Sequence, residues 1–282
     1  MTLTADAATD SQPVLDVTGP WTPPGTLLRQ MWNARHIIAT LARREFFSRY
    51  RRTSLGAFWS VILPLVQAVV LAIVFTKVAR VGLPGNAFVY VFTGLASWSF
   101  FSVTLGVAST AIVDNAQLAS KIYFPRAALP IVTVVANSYI AVVNYVIVVI
   151  AVYASGVDPR PQAFGIVAAI LTLLLLTASI ATLLAGMHVY FRDMRYAIQA
   201  ILLVAFYVTP TFYPLGQAPA FLRVLDEINP VTGIIELTRV GTVGADHHWW
   251  IPVIATYGWT AAVVGAAVLL FSRHDRVFAD LL

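Results

Sequence analysis

Arginine is the residue type whose pattern in this 282-residue chain points most directly to chemistry. The segment LARREFFSRYRR interleaves basic and aromatic side chains, with its arginines at Arg43, Arg44, Arg49, Arg51 and Arg52. A guanidinium binds phosphate oxygens in bidentate fashion and keeps its charge at physiological pH. The pattern predicts contacts with lipid phosphate. The alternative is that these arginines only mark the cytoplasmic side of a membrane protein.

Carboxylates and histidines, the usual groups of acid–base and metal catalysis, are scattered along the chain. Asp226 and Glu227 are adjacent. The other carboxylates considered are Asp114, Asp158, Asp193, Glu236 and Asp246. His247 and His248 precede two tryptophans, which is typical of an aromatic belt at a membrane surface, and adjacent histidines make a poor metal site. No catalytic residue and no metal site are predicted.

Motifs for nucleotide hydrolysis and for ion coupling are missing from the sequence. The Walker A pattern of a P-loop does not occur, so the chain is predicted to bind neither ATP nor Mg and to carry no other cofactor. No charged residue lies in the middle of an apolar stretch, where ion-coupled carriers usually place one. Uncharged polar and aromatic residues occur there instead, and they would either stack on sugar rings or simply pack helices together.

Composition identifies an integral membrane protein. Hydrophobic residues make up 59% of the chain and charged residues 11%, with a mean hydropathy of +0.79, whereas about a quarter of the residues in soluble domains are charged. A membrane-spanning helix needs about 20 apolar residues. The stretches that meet this need are 58–78, 88–112, 128–153, 164–189, 196–214 and 251–271. The predicted fold is an all-α membrane protein with six transmembrane helices.

The basic residues that flank these stretches predict the orientation. With the N-terminus in the cytoplasm, most of the flanking arginines and lysines lie on the cytoplasmic side, as the positive-inside rule requires. The basic residues predicted to lie on the outer side of the membrane are Lys77, Arg80, Arg160, Arg223 and Arg239. The chain is therefore predicted to cross the plasma membrane several times, with both termini in the cytoplasm.

Two further segments precede the first span. Residues 1–28 contain acidic residues and prolines, without the basic and apolar regions of a secretory signal, and are predicted to be a mobile cytoplasmic tail. Residues 29–57 are predicted to form an amphipathic helix that lies in the lipid headgroup layer. The six-span transmembrane domain then covers residues 58–282.

The connection between spans five and six is too long for a tight turn and too apolar for a solvated loop. Asn229 can cap a helix whose first residue is Pro230, and Gly241 can end it. Two short helices within residues 215–245, partly dipping back into the membrane, are predicted. Backbone at that depth must be buried in protein or line a wet cavity, so this outer re-entrant hairpin is a candidate gate.

Several short motifs occur together in one known family. SRYRRTSLGAFW precedes the first span, KIYFPRAALP lies between spans two and three, YFRDMR follows span four, and RVFADLL is near the end. In this combination the chain resembles the membrane subunit of ABC-2-type polysaccharide exporters, the O-antigen, teichoic-acid and galactan family. The resemblance covers roughly residues 30–282.

The resemblance implies a separate ATPase. In such exporters the loop between spans two and three carries a coupling helix that docks on the ATPase, here at about residues 115–124, with Pro125 ending the helix. The implied contact residues are Asn115, Gln117, Leu118, Lys121, Tyr123, Phe124 and Arg126. The implied assembly is a homodimer of this chain with two P-loop ATPase subunits that bind ATP and Mg, and no nucleic acid is expected. A lipid-facing interfacial turn is the alternative for this segment.

The resemblance also implies a channel at the homodimer interface, lined by spans one and five. The channel candidates are Trp59, Leu63, Gln67, Phe206, Tyr207 and Tyr213. The implied cargo is a long glycan on a polyprenyl diphosphate, for which the cluster from Arg43 to Arg52 is the candidate receptor. Arginine-rich, lysine-poor usage suggests an actinobacterial source, and the glycan would then be the cell-wall galactan.

Two alternatives stay open. An ABC-2 permease for a small hydrophobic drug or lipid would share the fold and the ATPase partner. Fewer aromatic residues within the spans and a shorter amphipathic entry helix would favour it, and the sequence shows neither. A membrane enzyme acting on lipid-linked sugars would need a catalytic carboxylate, often with a metal, among the scattered acidic residues.

Overall fold

The computed structural model describes residues 23–51, 54–121, 125–156, 164–244 and 248–274, and these residues form helices with no strand among them. Among the described residues, five helices are long and apolar enough to cross a membrane. They are α3 (Phe58–Ile73, continued by a π-helical turn at Val74–Val78), α4 (Ala87–Ala108), α7 (Ala128–Ala154), α8 (Phe164–Tyr190) and α12 (Trp250–His274). The shorter helices are α1 (Pro24–Asn33), α2 (Arg35–Tyr50), α5 (Ala111–Asp114), α6 (Ala116–Lys121), α9 (Met194–Val208), α10 (Ala220–Ile228) and α11 (Pro230–Val240). The chain is a multi-pass helical membrane protein.

Helix α4 lies at the centre of the bundle, in contact with α3, α7, α8, α9 and α11. Within the most apolar 18 residues of each helix, 78% are buried in α4 but only 22% in α3. Gly94 permits the tightest approach, because a Cβ atom there would lie 2.3 Å from the carbonyl oxygen of Thr211. The chain that follows α9 therefore packs directly against the backbone of α4, which an alanine at this position would prevent.

The fifth predicted span, 196–214, is not a full span in the structure. Helix α9 has 15 residues and ends at Val208, and the backbone of Thr209 is extended. The ring of Pro210 disfavours helical backbone in the residue before it, which explains where the helix ends. At 1.5 Å per residue α9 is about 22 Å long, shorter than the ~30 Å hydrocarbon core of a bilayer.

The predicted amphipathic helix at 29–57 is two helices, α1 and α2, which meet at Ala34. Ile38 and Ala42 are buried where α2 packs along α7. The Tyr50 hydroxyl hydrogen-bonds that of Ser60 at 2.6 Å, which joins the end of α2 to the start of α3. The predicted tail, residues 1–28, lies outside the described residues except at 23–28, which include the start of α1.

The predicted hairpin contains a 3₁₀ turn (Leu215–Gln217) followed by α10 and α11. The Asn229 side chain accepts a hydrogen bond from the backbone N–H of Val231, Pro230 is the first residue of α11, and Gly241 follows its last residue. The predicted helix start and stop are thus confirmed. Helix α11 packs against α8 and α12, and a Cβ atom at Gly233 would lie 2.3 Å from the carbonyl oxygen of Pro252.

Candidate functional site

One end of the bundle, here called the basic end, is formed by α2, α5, α6 and the adjoining ends of α4 and α7. It holds a pocket of about 520 Å³, the basic-end pocket. The lining residues are Leu41, Arg44, Glu45, Ser48, Arg49, Val107, Ala111, Asp114, Asn115, Leu118, Leu129, Val132 and Thr133. The pocket thus brings the predicted headgroup arginines and the predicted coupling segment to one place.

A chain of polar side chains ties α2 to α7 beside this pocket. Arg49 Nη2 donates to Glu45 Oε1 at 2.7 Å, and Arg49 Nη1 donates to Asn137 Oδ1 at 2.5 Å. Thr133 Oγ1 donates to the other Glu45 oxygen at 3.3 Å, and Asn137 Nδ2 donates to Thr104 Oγ1 at 3.1 Å. The Glu45–Arg49 pair is 29% exposed on both sides. Partly exposed i,i+4 pairs of this kind contribute only about 0.3–0.5 kcal/mol.

The predicted arginine cluster divides into different environments. Arg44 lines the basic-end pocket and, among the residues that the structure describes, has no hydrogen-bond or ion-pair partner. Arg49 lines the same pocket but is held by Glu45 and Asn137. The guanidinium of Arg43 lies 5.8 Å from the Phe47 ring centroid. Arg51 is exposed at the end of α2, and Arg52 lies outside the described residues.

The predicted coupling segment is only partly described. Asn115 and Leu118 line the basic-end pocket, and Gln117 is exposed in α6. Lys121 is the last residue of α6, whereas Tyr123 and Phe124 lie outside the described residues. Arg126 is half-buried just before α7. The short helix predicted between spans two and three is thus present from Ala116 to Lys121.

A second cavity of about 570 Å³, the central cavity, lies between α3, α4, α7 and α9. Three of the six predicted channel residues line it, namely Leu63, Gln67 and Phe206. Trp59 and Tyr207 are not among its lining residues, and their side chains are 45% and 63% exposed. The sixth, Tyr213, lies in the segment between α9 and α10, away from this cavity.

Amide and aromatic side chains give the central cavity its chemical character. The amides are Gln67, Asn137, Asn144 and Gln199, and the large aromatic residues are Tyr50, Trp98, Phe100 and Phe206. Asn144 Oδ1 is buried and accepts no hydrogen bond from the described residues. A buried polar atom without a partner costs free energy, so it is expected to meet a donor from water or a ligand. Amides beside aromatic faces suit a hydroxyl-rich ligand such as a glycan.

The opposite end of the bundle, here called the hairpin end, is formed by α10, α11 and the segment between α9 and α10. It contains a fully buried ion pair. Arg239 Nη1 donates to Glu236 Oε1 at 2.8 Å, and the two side chains are 1% and 2% exposed. Arg239 Nη2 donates to the Thr211 carbonyl at 3.1 Å, and the guanidinium lies 3.8 Å from the Tyr90 ring centroid. One side chain therefore holds α11, α4 and the segment after α9 together. The sequence prediction placed Arg239 among flanking charges and missed this role, although its i,i+3 spacing from Glu236 was a usable signal.

A buried carboxyl group lies close by in α10. Tyr213 Oη donates to the carbonyl of Val208 at 2.6 Å and lies 3.2 Å from Asp226 Oδ2. Burial raises the pKa of Asp226 from 3.8 to about 7, with Glu236 and Glu227 adding to the rise and the hydrogen bond from Tyr213 opposing it. The sequence prediction treated these carboxylates as scattered, whereas folding brings Asp226 and Glu236 near each other.

The long apolar helices and the two cavities between them describe a multi-pass membrane protein. The family model of the ABC-2 type transporter matches residues 37–243, which is most of the chain, and the chain belongs to this family. Membership favours a transport subunit over an enzyme.

The curated relatives match the chain over nearly their whole length. The O-antigen export system permease protein RfbA of Myxococcus xanthus is 28% identical over 258 residues, covering 90% of this chain and 98% of the relative. A protein of the same name from Klebsiella pneumoniae is 24% identical over 251 residues, covering 87% and 95%.

Proposed function

We propose that this chain is the transmembrane subunit of an ATP-driven exporter that moves a lipid-linked polysaccharide out of the cytoplasm. The observation that carries the proposal is the near full-length match to two permeases named for O-antigen export. The amide and aromatic lining of the central cavity supports it, because such a lining accepts hydroxyl groups within an apolar helix bundle. The proposed glycan is the cell-wall galactan.

The proposed topology places the basic end in the cytoplasm and the hairpin end outside the plasma membrane. Helix α9, with the segment that follows it, would complete a sixth crossing, so that both termini lie in the cytoplasm. The distribution of arginine supports this orientation, because α2 alone carries Arg35, Arg43, Arg44 and Arg49. The hairpin would then be a re-entrant gate on the outer face, pinned by Arg239.

An ATPase partner follows from the transport reaction, because export against a gradient needs an energy source. The proposed docking element is α6 with the residues up to Arg126, and the partner would bind ATP and Mg. Gln117 is exposed on this element, and Asn115 and Leu118 connect it to the basic-end pocket. Movement of α6 would therefore be transmitted to Arg44 and Arg49, because Asn115 and Leu118 line the same pocket as these two arginines.

Two copies of the chain with two ATPase subunits form the proposed assembly. Helices α3 and α9 each present apolar side chains outwards beside the central cavity, including Leu63 at 62% and Leu203 at 65% exposure. If these faces pair across a two-fold axis, the central cavities of the two copies would open onto one shared channel at the interface. Leu63, Gln67 and Phe206 line the central cavity and are therefore the proposed channel residues. Trp59 and Tyr207 would lie at the subunit interface.

Copurification tests the proposal most directly. The tagged chain would be purified from its native host in mild detergent, and its partners would be identified by mass spectrometry. We expect a stoichiometric P-loop ATPase, and at least about a tenfold loss of it in the variant Gln117→Ala, Tyr123→Ala, since aromatic anchors dominate binding energy at interfaces. Phe221→Ala, which changes an exposed aromatic residue at the hairpin end, is the control and should retain the ATPase.

Lipid analysis of the same host identifies the cargo. Depletion of the chain should leave polyprenyl-linked glycan in the cytoplasmic leaflet and reduce the glycan at the surface. An ATPase partner with unchanged surface glycan would favour the drug or lipid permease instead. Purification without any ATPase, even after crosslinking, would contradict the exporter and favour the membrane enzyme.

A further inference from the structure

The Glu45–Arg49–Asn137 contact lies at the boundary between the two cavities. Glu45, Arg49 and Thr133 line the basic-end pocket. Asn137 and Thr104 line the central cavity. The hydrogen bond from Arg49 to Asn137 therefore crosses from one cavity to the other. Because both cavities run along the same faces of α4 and α7, a change at this contact would alter the passage between them.

Arg49 already holds an anion from its own helix. One carboxylate oxygen of Glu45 accepts from Arg49, while Thr133 donates to the other oxygen. Five residues earlier in α2, Arg44 lines the same pocket with no hydrogen-bond or ion-pair partner among the described residues. A diphosphate could therefore bind Arg44 first and then compete with Glu45 for Arg49, since phosphate oxygens match the guanidinium fork and carry more charge than one carboxylate.

The exposure of the Glu45–Arg49 pair makes this competition possible. At 29% exposure both side chains still contact solvent, so neither is trapped in a charged state without water. Pairs of this kind are weak. The Asp114 carboxylate, the other acidic group in the pocket, accepts a hydrogen bond from the Thr110 hydroxyl at 2.6 Å and is not part of the Arg49 contact.

We propose that Glu45 is an internal competitor for the diphosphate headgroup of the substrate, and that its displacement from Arg49 opens the passage between the basic-end pocket and the central cavity. When Arg49 turns towards the bound diphosphate it releases Asn137, whose amide then becomes available to the ligand in the central cavity. Glu45 thus makes opening depend on an anionic headgroup and excludes neutral lipids. This inference rests on the proposed function for the identity of the diphosphate.

The absence of cysteine from the chain permits a direct test. Ser102, which lines the central cavity, is replaced by cysteine in the full chain, and the protein is placed in lipid nanodiscs. The rate of cysteine modification is measured with two methanethiosulfonate reagents, one anionic and one cationic. An open passage accelerates both reagents, whereas a purely electrostatic effect of freeing Arg49 accelerates the anionic reagent and slows the cationic one.

Undecaprenyl diphosphate is the probe, with undecaprenol and inorganic diphosphate as comparisons. We expect undecaprenyl diphosphate to accelerate both reagents about tenfold in the otherwise unchanged protein, and undecaprenol to have no effect. Acceleration by inorganic diphosphate as well would support the exchange and show that the lipid chain is not needed. Glu45→Gln should be modified rapidly without any probe and should gain little from adding one.

Two variants complete the test. Thr133→Val removes one contact of Glu45 and should give an intermediate rate, which guards against misfolding of the Glu45 variant. Glu227→Gln, an acidic residue at the hairpin end, should behave like the unchanged protein. Equal rates for Glu45→Gln and the unchanged protein would overturn the proposal, as would a fast Glu45→Gln protein whose parent does not respond to diphosphate. Neither result would affect ATPase copurification, so the proposed function is tested separately.

Discussion

The basic end and the hairpin end each contain an arginine–glutamate pair on one helix, and the two pairs differ mainly in burial. Glu45 and Arg49 are 29% exposed, whereas Arg239 and Glu236 are 1% and 2% exposed. The exposed pair reaches across to one neighbouring helix through Asn137 and Thr133. The buried pair contacts the backbone of Thr211 and the ring of Tyr90 on two other segments.

Burial gives the same chemistry two different roles. A pair that water still reaches can exchange partners at small cost, because each charge is solvated when the other leaves. A fully buried pair cannot exchange partners at small cost, because removing one member leaves an uncompensated charge in a medium that solvates it poorly. The arginine at the basic end is therefore suited to binding and releasing an anion. The arginine at the hairpin end is suited to holding α11, α4 and the segment after α9 in one fixed arrangement.

The largest expected effect comes from removing half of the buried pair. Arg239→Met should lower the free energy of unfolding by about 3–5 kcal/mol, because Glu236 is left as an unpaired buried charge. The double variant Glu236→Gln, Arg239→Met should recover part of that loss. Unfolding by SDS in mixed micelles measures both. A single variant as stable as the parent would show that the hairpin end tolerates exchange and would remove the contrast between the two ends.

A pH titration should also distinguish the two ends. The pKa of Asp226 is raised from 3.8 in the free side chain to about 7 by burial, so the folded protein retains this proton where the unfolded chain loses it. The resulting stabilisation is full below the unfolded pKa and is lost as the pH rises through the folded value. Stability should therefore fall as the pH rises from about 4 to about 7.

The measurement is the midpoint of thermal unfolding across this pH range, compared with that of Asp226→Asn. The asparagine variant should lose most of the slope, because the titrating group is gone. Tyr213, Glu227, Glu236 and Arg239 surround the carboxyl group and remain in both proteins. An unchanged slope in Asp226→Asn would assign the pH dependence to another group.

The smallest effect on stability is expected at the basic end. Arg49→Gln should cost at most about 1 kcal/mol of unfolding free energy, and a double-mutant cycle with Glu45→Gln should give a coupling of about 0.3–0.5 kcal/mol. SDS titration of the two single variants and the double variant checks this. A coupling as large as that of the buried pair would mean that Glu45 is too tightly held to be displaced by a headgroup.

Local patterns in the sequence were sufficient to predict where most of the helices lie. Hydropathy located the five long helices, because a membrane span needs only a continuous apolar stretch whatever its neighbours are. Capping chemistry located α11, since Asn229, Pro230 and Gly241 act on the backbone beside them. Arginine spacing located the basic end. The early end of α9 was also encoded locally, in Pro210, although apolarity alone continued the predicted span past it.

Tertiary structure decided which of these residues act together. Arg49 meets Asn137 across 88 positions of sequence, and Arg239 meets Thr211 across 28. No periodicity within one helix specifies such contacts, because they depend on how helices rotate and pack against each other. Packing also set the burial of each pair, and burial is what separates an exchangeable arginine from a structural one. The sequence by itself determined the five long helices among the described residues and the arginines near α2, because apolar length and charge are local properties. The folded bundle determined the cavities and the roles of the charges that line them, because these depend on how the helices pack.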